Sequence, residues 1–166
     1  MTVDIATGVT AVMPLSRDVV GLALAELLQE AGQVPAAIEV VETLEPSAIA
    51  AVSLAELYLD ASRPADVVQL TNGLSNDDDA TALLLTFRGT ALNQIGQPGA
   101  GREALKAALA PRSRSAEIRH LALLARASTY LAEGKKPLAK KDLERVLAED
   151  ANFPGLDQAI TQLDAS

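Results

Sequence analysis

A chain of 166 residues that is 49% hydrophobic can form one compact domain, and the absence of cysteine excludes disulfides and thiolate metal sites. A net charge of −8 argues against nucleic acid as a partner, because such binding depends on Lys and Arg at the phosphates. The apolar runs are far shorter than the roughly 18 residues of a membrane span, so we expect a cytoplasmic protein without a membrane partner.

The first 15 residues do not follow the helical period. The segments TVDIA and VTAVM alternate on either side of Thr7 and Gly8, which predicts a short β-hairpin or an extended arm over residues 1–15. Because an isolated two-stranded hairpin is only marginally stable, we expect it to lie against the first helices or against a second chain. A homodimer is therefore one possible assembly.

Four segments of the remaining chain share one internal spacing without an insertion. Each segment has a small residue, at Ala25, Ala55, Gly89 and Ala127. Three positions later comes a large residue, at Leu28, Tyr58, Leu92 and Tyr130. Four positions further comes a turn residue, at Gly32, Ser62, Gly96 and Gly134. A second small or β-branched residue follows, at Ala37, Val67, Gly101 and Ala139.

This spacing is typical of a helical hairpin. Small residues let two helix backbones approach, large residues fill the seam, and glycine ends the first helix in the left-handed conformation. Because each hairpin leaves an apolar face for its neighbour, four of them predict an all-α fold, an α-solenoid over residues 16–166. The hairpins and a final capping helix are expected at residues 17–45, 47–75, 79–110, 115–150 and 153–165.

At these positions the chain resembles the tetratricopeptide repeat (TPR) family, and its last repeat, LLARASTYLAEGKKPLAKKDLERVLAEDANFP, looks like stand-alone bacterial members. The resemblance implies a superhelix that binds a peptide or protein on a concave face, lined by the first helix of each hairpin. Its matching positions include Glu26, Glu56, Thr90, Asn93 and Ser128. The Lys-and-Asn clamp with which some members hold a chaperone's terminal carboxylates is absent from these positions.

Arg88 and Arg126 occupy equivalent places in repeats three and four, where a buried apolar side chain is expected. A guanidinium removed from water needs a carboxylate or several carbonyls around it. One interpretation is a pair of internal salt bridges to acids such as Asp79, Glu103 or Asp142. The other is that both arginines line the groove and receive an acidic peptide or a C-terminus.

The charge is unevenly distributed along the chain. Residues 1–87 carry 13 acidic and 2 basic side chains, whereas residues 88–166 carry 9 acidic and 12 basic ones. Solvated faces that aid solubility are one explanation. Head-to-tail self-association, or an acidic partner at the C-terminal end, is the other.

Two glycine motifs lack the context that phosphate binding needs. Around Gly134, Thr129 and Lys136 stand where a P-loop requires a Gly and a Ser or Thr. The segment GAGREA at residues 99–104 matches a dinucleotide fingerprint, but a helical repeat precedes it rather than a strand. Both motifs are therefore interpreted as parts of helical hairpins, and no cofactor is expected.

The polar groups that could support other chemistry also have simpler explanations. The single His120 cannot build a multi-histidine metal site, and we expect it on the surface. The acidic run at residues 77–79, part of a connector, favours the start of a helix. No metal site or catalytic residue is therefore expected.

The sequence thus predicts a non-catalytic interaction scaffold or adaptor with a protein or peptide partner. An alternative is that the chain is the C-terminal docking or dimerisation module of a larger protein. A remote alternative is an enzyme or small-molecule sensor that uses carboxylates in the groove, with Glu26 and Glu56 as the candidate pair.

Overall fold

A computed structural model describes residues 1–110 and 113–165, and over these residues two strands precede nine helices. The chain divides into an N-terminal unit, Met1–Asn72, and a C-terminal unit, Gly73–Ser166. The N-terminal unit contains β1 (Thr2–Ala6), β2 (Val9–Val12), α1 (Arg17–Glu30), α2 (Val34–Glu42), α3 (Ala48–Asp60) and α4 (Pro64–Leu70). The C-terminal unit contains α5 (Asp79–Gln94), α6 (Pro98–Leu109), α7 (Ala116–Ala132), α8 (Lys136–Glu149) and α9 (Leu156–Ala165).

The helices α1 to α8 form four consecutive pairs. We call α1, α3, α5 and α7 the first helices and α2, α4, α6 and α8 the second helices. The two helices of each pair pack against each other, and in each unit the second helix of the leading pair also packs against the first helix of the next. The predicted helical hairpins are therefore confirmed.

The predicted N-terminal β-hairpin is also confirmed. β1 and β2 are antiparallel, with Thr2 opposite Val12 and Ala6 opposite Val9. Gly8 in the turn has a φ of 76°, a conformation that glycine adopts without strain. β1 packs against α1 and α3. The hairpin therefore lies against helices of its own chain, which is one of the two arrangements predicted from the sequence.

The four turns within the helix pairs adopt one conformation. Their φ angles are 73° at Gly32, 56° at Ser62, 77° at Gly96 and 71° at Gly134. The N–H of each of these residues donates to the carbonyl three positions earlier. The following N–H donates to the carbonyl of the large residue of the repeat, at Leu28, Tyr58, Leu92 and Tyr130. These two bonds form a Schellman motif, so all four predicted turns are confirmed.

Small residues bring the paired helices together as predicted. The buried small residues of the shared spacing are Ala25, Ala37, Ala55, Gly89, Gly101, Ala127 and Ala139. Where α5 meets α6, a β-carbon added to Gly101 would lie 2.7 Å from the carbonyl oxygen of Gly89. Because that oxygen belongs to the backbone, no larger side chain fits at Gly101 unless the two helices move apart.

The helix starts follow from local chemistry. A proline lies in the first turn of each second helix, at Pro35, Pro64, Pro98 and Pro137. Proline is favoured there because the N–H it lacks has no partner within the helix. Asp78 caps α5 by accepting from the N–H of Thr81, which confirms that the acidic run lies at a helix start. Of the predicted connector APRSRS at residues 110–115, residues 111 and 112 lie outside the described part.

The last helix, α9, packs against α7 and α8. Phe153, Leu156 and Leu163 are buried with Leu123 of α7 and Leu143 of α8. The predicted final helix is therefore present, although it begins at Leu156. In the part of the chain that the structure describes, no helix has the length and apolar character to cross a membrane.

Candidate functional site

The β-hairpin engages two of the predicted groove residues in the N-terminal unit. The carboxylate of Glu56 accepts hydrogen bonds from the Thr7 N–H at 2.8 Å and from the Thr7 hydroxyl at 2.6 Å. Glu26 accepts one from the Asp4 N–H at 3.4 Å. Both acids therefore bind the chain's own hairpin, and they do so mainly through backbone donors.

This environment changes the acidity of Glu56. Burial raises the pKa of its carboxyl above the usual range, and the hydrogen bonds from Thr7 partly oppose that rise. The nearby acids Asp60 and Asp4 raise the pKa further. Neutral donors thus hold a carboxylate whose ionised form is disfavoured.

In the C-terminal unit, Arg126 of α7 forms a bidentate ion pair with Asp142 of α8. Its Nε lies 2.7 Å from Oδ2 and its Nη2 lies 2.7 Å from Oδ1. The guanidinium carbon is also 5.8 Å from the centre of the Tyr130 ring. The hydrogen bonds to Asp142 raise the pKa of Arg126, although burial opposes the rise. The predicted internal salt bridge is therefore confirmed for Arg126, with one of its expected partners.

The other predicted binding residues lie on two adjoining first helices of the C-terminal unit, since α5 packs against α7. Arg88, Thr90 and Asn93 are half-buried on α5, and Ser128 is exposed on α7. The Thr90 hydroxyl donates to the carbonyl of Thr86 in its own helix at 3.3 Å.

A cavity of about 380 Å³ lies between α6, α7 and α8 of the C-terminal unit. Its lining among the described residues includes four cationic side chains, Lys106, Arg119, Arg126 and Arg145. The lining also includes Glu149 and the apolar residues Leu109 and Leu123. We call this the cationic cavity. Its volume is within the range of pockets that hold small molecules.

Glu149 joins three side chains at the wall of the cationic cavity. Its Oε2 lies 3.0 Å from Nη2 of Arg119 and 3.0 Å from Nε2 of His120. Its Oε1 lies 3.5 Å from Nε of Arg145. The hydrogen bond with His120 lowers the pKa of Glu149, and the charge of Arg119 adds to this effect. The carboxylate is therefore ionised at neutral pH and balances one positive charge.

The predicted surface position of His120 is wrong. Only 3% of the residue is exposed, and its ring packs edge-on against Phe153, with the ring centres 5.2 Å apart. Phe153 lies in the segment between α8 and α9, more than thirty positions away along the chain. The spacing of residues within α7 cannot show that another segment covers this side chain.

Arg119 has an unsatisfied donor at the cavity wall. Its Nε is buried and has no hydrogen-bond partner within residues 1–110 and 113–165, although its Nη2 pairs with Glu149. Leaving a buried donor unpaired costs about 1–3 kcal/mol.

Sequence reasoning missed most of the cationic cavity. Arg119 and Arg126 are seven residues apart on α7, and Arg145 and Glu149 are four apart on α8, so both pairs follow helical spacing. These spacings could have indicated one charged face on α7 and another on α8. Lys106 comes from α6, and spacing within α7 or α8 gives no sign of its approach.

The sequence matches no model of a known protein family, and it has no significant similarity to the curated proteins. Across the residues that the structure describes, no group of three or more His, Asp or Glu side chains is arranged to hold a metal ion.

Proposed function

We propose that the protein is a non-catalytic interaction scaffold of TPR-like helical hairpins, which binds a protein or peptide partner on the concave face of its first helices. The observation that carries this proposal is the common geometry of the four pairs. Each pair has the same Schellman turn and buried small residues at the same two positions, except that the second pair has Val67 at the second of them. Repeated pairs of this kind present extended surfaces more readily than closed catalytic sites.

The packing within each unit supports a solenoid-like arrangement. In the N-terminal unit α3 contacts both α1 and α2, and in the C-terminal unit α7 contacts both α5 and α6. The same stacking step thus occurs in both units. First helices that stack in this way form a continuous face, which is the surface that TPR-like proteins would offer to a partner.

We place the partner site on the C-terminal unit. In the N-terminal unit the hairpin already binds Glu26 and Glu56, so that part of the first-helix face is covered. The corresponding residues of the C-terminal unit are Thr90, Asn93 and Ser128, and Ser128 is exposed. Polar residues on such a face can provide hydrogen bonds to a peptide backbone.

Photo-crosslinking tests this placement. A benzophenone amino acid is introduced at Ser128 on α7 or at Lys140 on α8, both of which are exposed. The full chain is expressed in its native cells and irradiated. We expect a discrete protein adduct from position 128 but not from position 140, with the cross-linked partner identified by mass spectrometry. The same adducts from both positions, or none from position 128, would contradict the proposal.

A further inference from the structure

The cationic cavity carries more positive charge than its carboxylates balance. Arg126 is neutralised by Asp142, and Glu149 is shared between Arg119 and Arg145. One of these two guanidinium charges is therefore left over. Lys106 adds another to the lining, because Glu103, whose carboxylate lies 3.7 Å from its Nζ, does not line the cavity.

The shape and lining of the cavity also point to a ligand. Leu109 and Leu123 provide an apolar part of the wall next to the charged groups. Arg119 lines the cavity with a side chain that is 26% exposed, although its Nε atom is buried and has no acceptor in the described structure. Guanidinium groups match the geometry of carboxylate and phosphate oxygens, and the mixture of charged and apolar lining suits an anion that also has an apolar part.

We infer that the cationic cavity binds a small organic dianion, which carries carboxylates or a phosphate on a short apolar body. Two negative charges match the surplus of about two positive ones, and the apolar body contacts the leucine wall. The anion ion-pairs with Arg119, Lys106 and Arg145. This site is formed by α6, α7 and α8, so it is separate from the partner face proposed above.

Titration of the purified full chain tests the inference. The probes are succinate and glycerol 3-phosphate, with glycerol as the uncharged control and sodium chloride used to hold the ionic strength constant. Arginine Nε–Hε signals in nitrogen-15 NMR spectra report on the site, and an Arg119→Lys variant assigns the Arg119 signal. We expect this signal to shift with a dissociation constant of about 1 mM or tighter for at least one dianion.

Two lysine variants separate the cavity from general charge effects. Lys106 lines the cavity, whereas Lys140 does not. Both lysines are exposed, and the Nζ of each lies 3.7 Å from a carboxylate oxygen in its own helix, that of Glu103 or Glu144. We expect Lys106→Gln to weaken dianion binding about threefold or more, and Lys140→Gln to leave it unchanged. Arg145→Gln should weaken it to a similar extent.

The same titrations distinguish a carboxylate ligand from a phosphate ligand. Tighter binding of succinate indicates a carboxylate, and tighter binding of glycerol 3-phosphate indicates a phosphate. Equal weakening by Lys106→Gln and Lys140→Gln would overturn the inference. Dissociation constants weaker than about 1 mM for both dianions would also overturn it. Neither result bears on the cross-linking at Ser128, so the two proposals can fail independently.

Discussion

The two units share one helix-pair geometry but differ in how their charges are held. Residues 1–72 carry ten acidic and two basic side chains, whereas residues 73–166 carry twelve of each. In the N-terminal unit the carboxylate of Glu56 accepts from neutral donors of the β-hairpin, and its pKa is raised. In the C-terminal unit the Arg102 guanidinium lowers the pKa of Glu133, and the hydrogen bond with His120 lowers that of Glu149.

The comparison separates the residues that specify the helix pairs from the charged residues that determine the properties of each unit's surface. The turns and the small residues are common to both units, so they specify the helix pairs. The charged residues differ between the units, so they determine which groups each unit can bind. In the acidic unit, Glu26 and Glu56 accept hydrogen bonds from the hairpin, from two backbone N–H groups and the Thr7 hydroxyl. The balanced unit has the buried Arg126–Asp142 ion pair and a cavity with surplus positive charge.

The largest expected effect comes from the close approach of α5 and α6, which has no equivalent in the N-terminal unit. There the corresponding positions of the first pair hold Ala25 and Ala37. Gly101→Ala would place a β-carbon 2.7 Å from the Gly89 oxygen. We expect it to lower the free energy of unfolding by about 3 kcal/mol in urea denaturation.

Gly99→Ala is the matched control in the same helix. Apart from its chain neighbours and the nearby backbone of its own helix, a β-carbon at Gly99 meets no atom within 4 Å in the described structure. Alanine also loses less conformational entropy in a helix than glycine, so we expect a gain of about 0.5–1 kcal/mol. Equal losses from the two substitutions would show that close helix packing is not the cause.

The next largest effect is expected at the bidentate ion pair of the C-terminal unit. Asp142→Asn leaves Arg126 half-buried opposite a neutral amide, which should lower the free energy of unfolding by about 2 kcal/mol. The exposed pair Lys140–Glu144 provides the control, because Glu144→Gln should change stability by less than about 0.5 kcal/mol. Urea denaturation at neutral pH measures both variants, and similar effects would contradict a special role for the buried pair.

Sequence reasoning succeeded where the structure depends on contacts within one helix pair. The turns at Gly32 and Gly134 and the salt bridge of Arg126 to Asp142 could be predicted because spacing determines which residues meet. It failed at His120, which Phe153 covers from outside its helix pair. The assignment of Glu26 and Glu56 to a groove did not anticipate that the hairpin binds these carboxylates, because strand alternation does not show where a hairpin docks.

The opposite pKa shifts predict opposite responses to pH. Glu133 and Glu149 stabilise the folded state at pH values above the ordinary glutamate pKa. This stabilisation is lost as the pH falls through their lowered pKa values. For Glu56 the raised pKa means that the folded state binds the proton more tightly, so its unfavourable contribution appears as the pH rises.

Glu56→Gln isolates this effect. The amide oxygen can still accept from Thr7 but is never ionised, so the variant should be more stable than the wild type at pH 7. The gain should shrink as the pH falls through the raised pKa of the wild-type carboxyl. Urea denaturation across this pH range measures the difference, and a gain that is the same at every pH would contradict the assigned cause.

Smaller effects than those at Gly101 and Asp142 are expected at the turns within the helix pairs. Ser62 has a φ of 56° where the C-terminal unit has Gly96 and Gly134. Ser62→Gly should relieve strain and raise the free energy of unfolding by about 0.5 kcal/mol, whereas Gly134→Ser should lower it by about 1 kcal/mol. Thermal denaturation of both variants checks the signs, and a loss from Ser62→Gly would show that the serine is not strained.

The docked hairpin is the feature that distinguishes the N-terminal unit from the C-terminal one. Amide hydrogen exchange at Thr7 tests it most directly, because this N–H donates to Glu56 at 2.8 Å. We predict slow exchange in the wild type and in Glu56→Gln, and fast exchange in Glu56→Ala, with α5 to α9 unaffected. Exchange at the rate of a free peptide in the wild type would contradict the docking of the hairpin on α1 and α3.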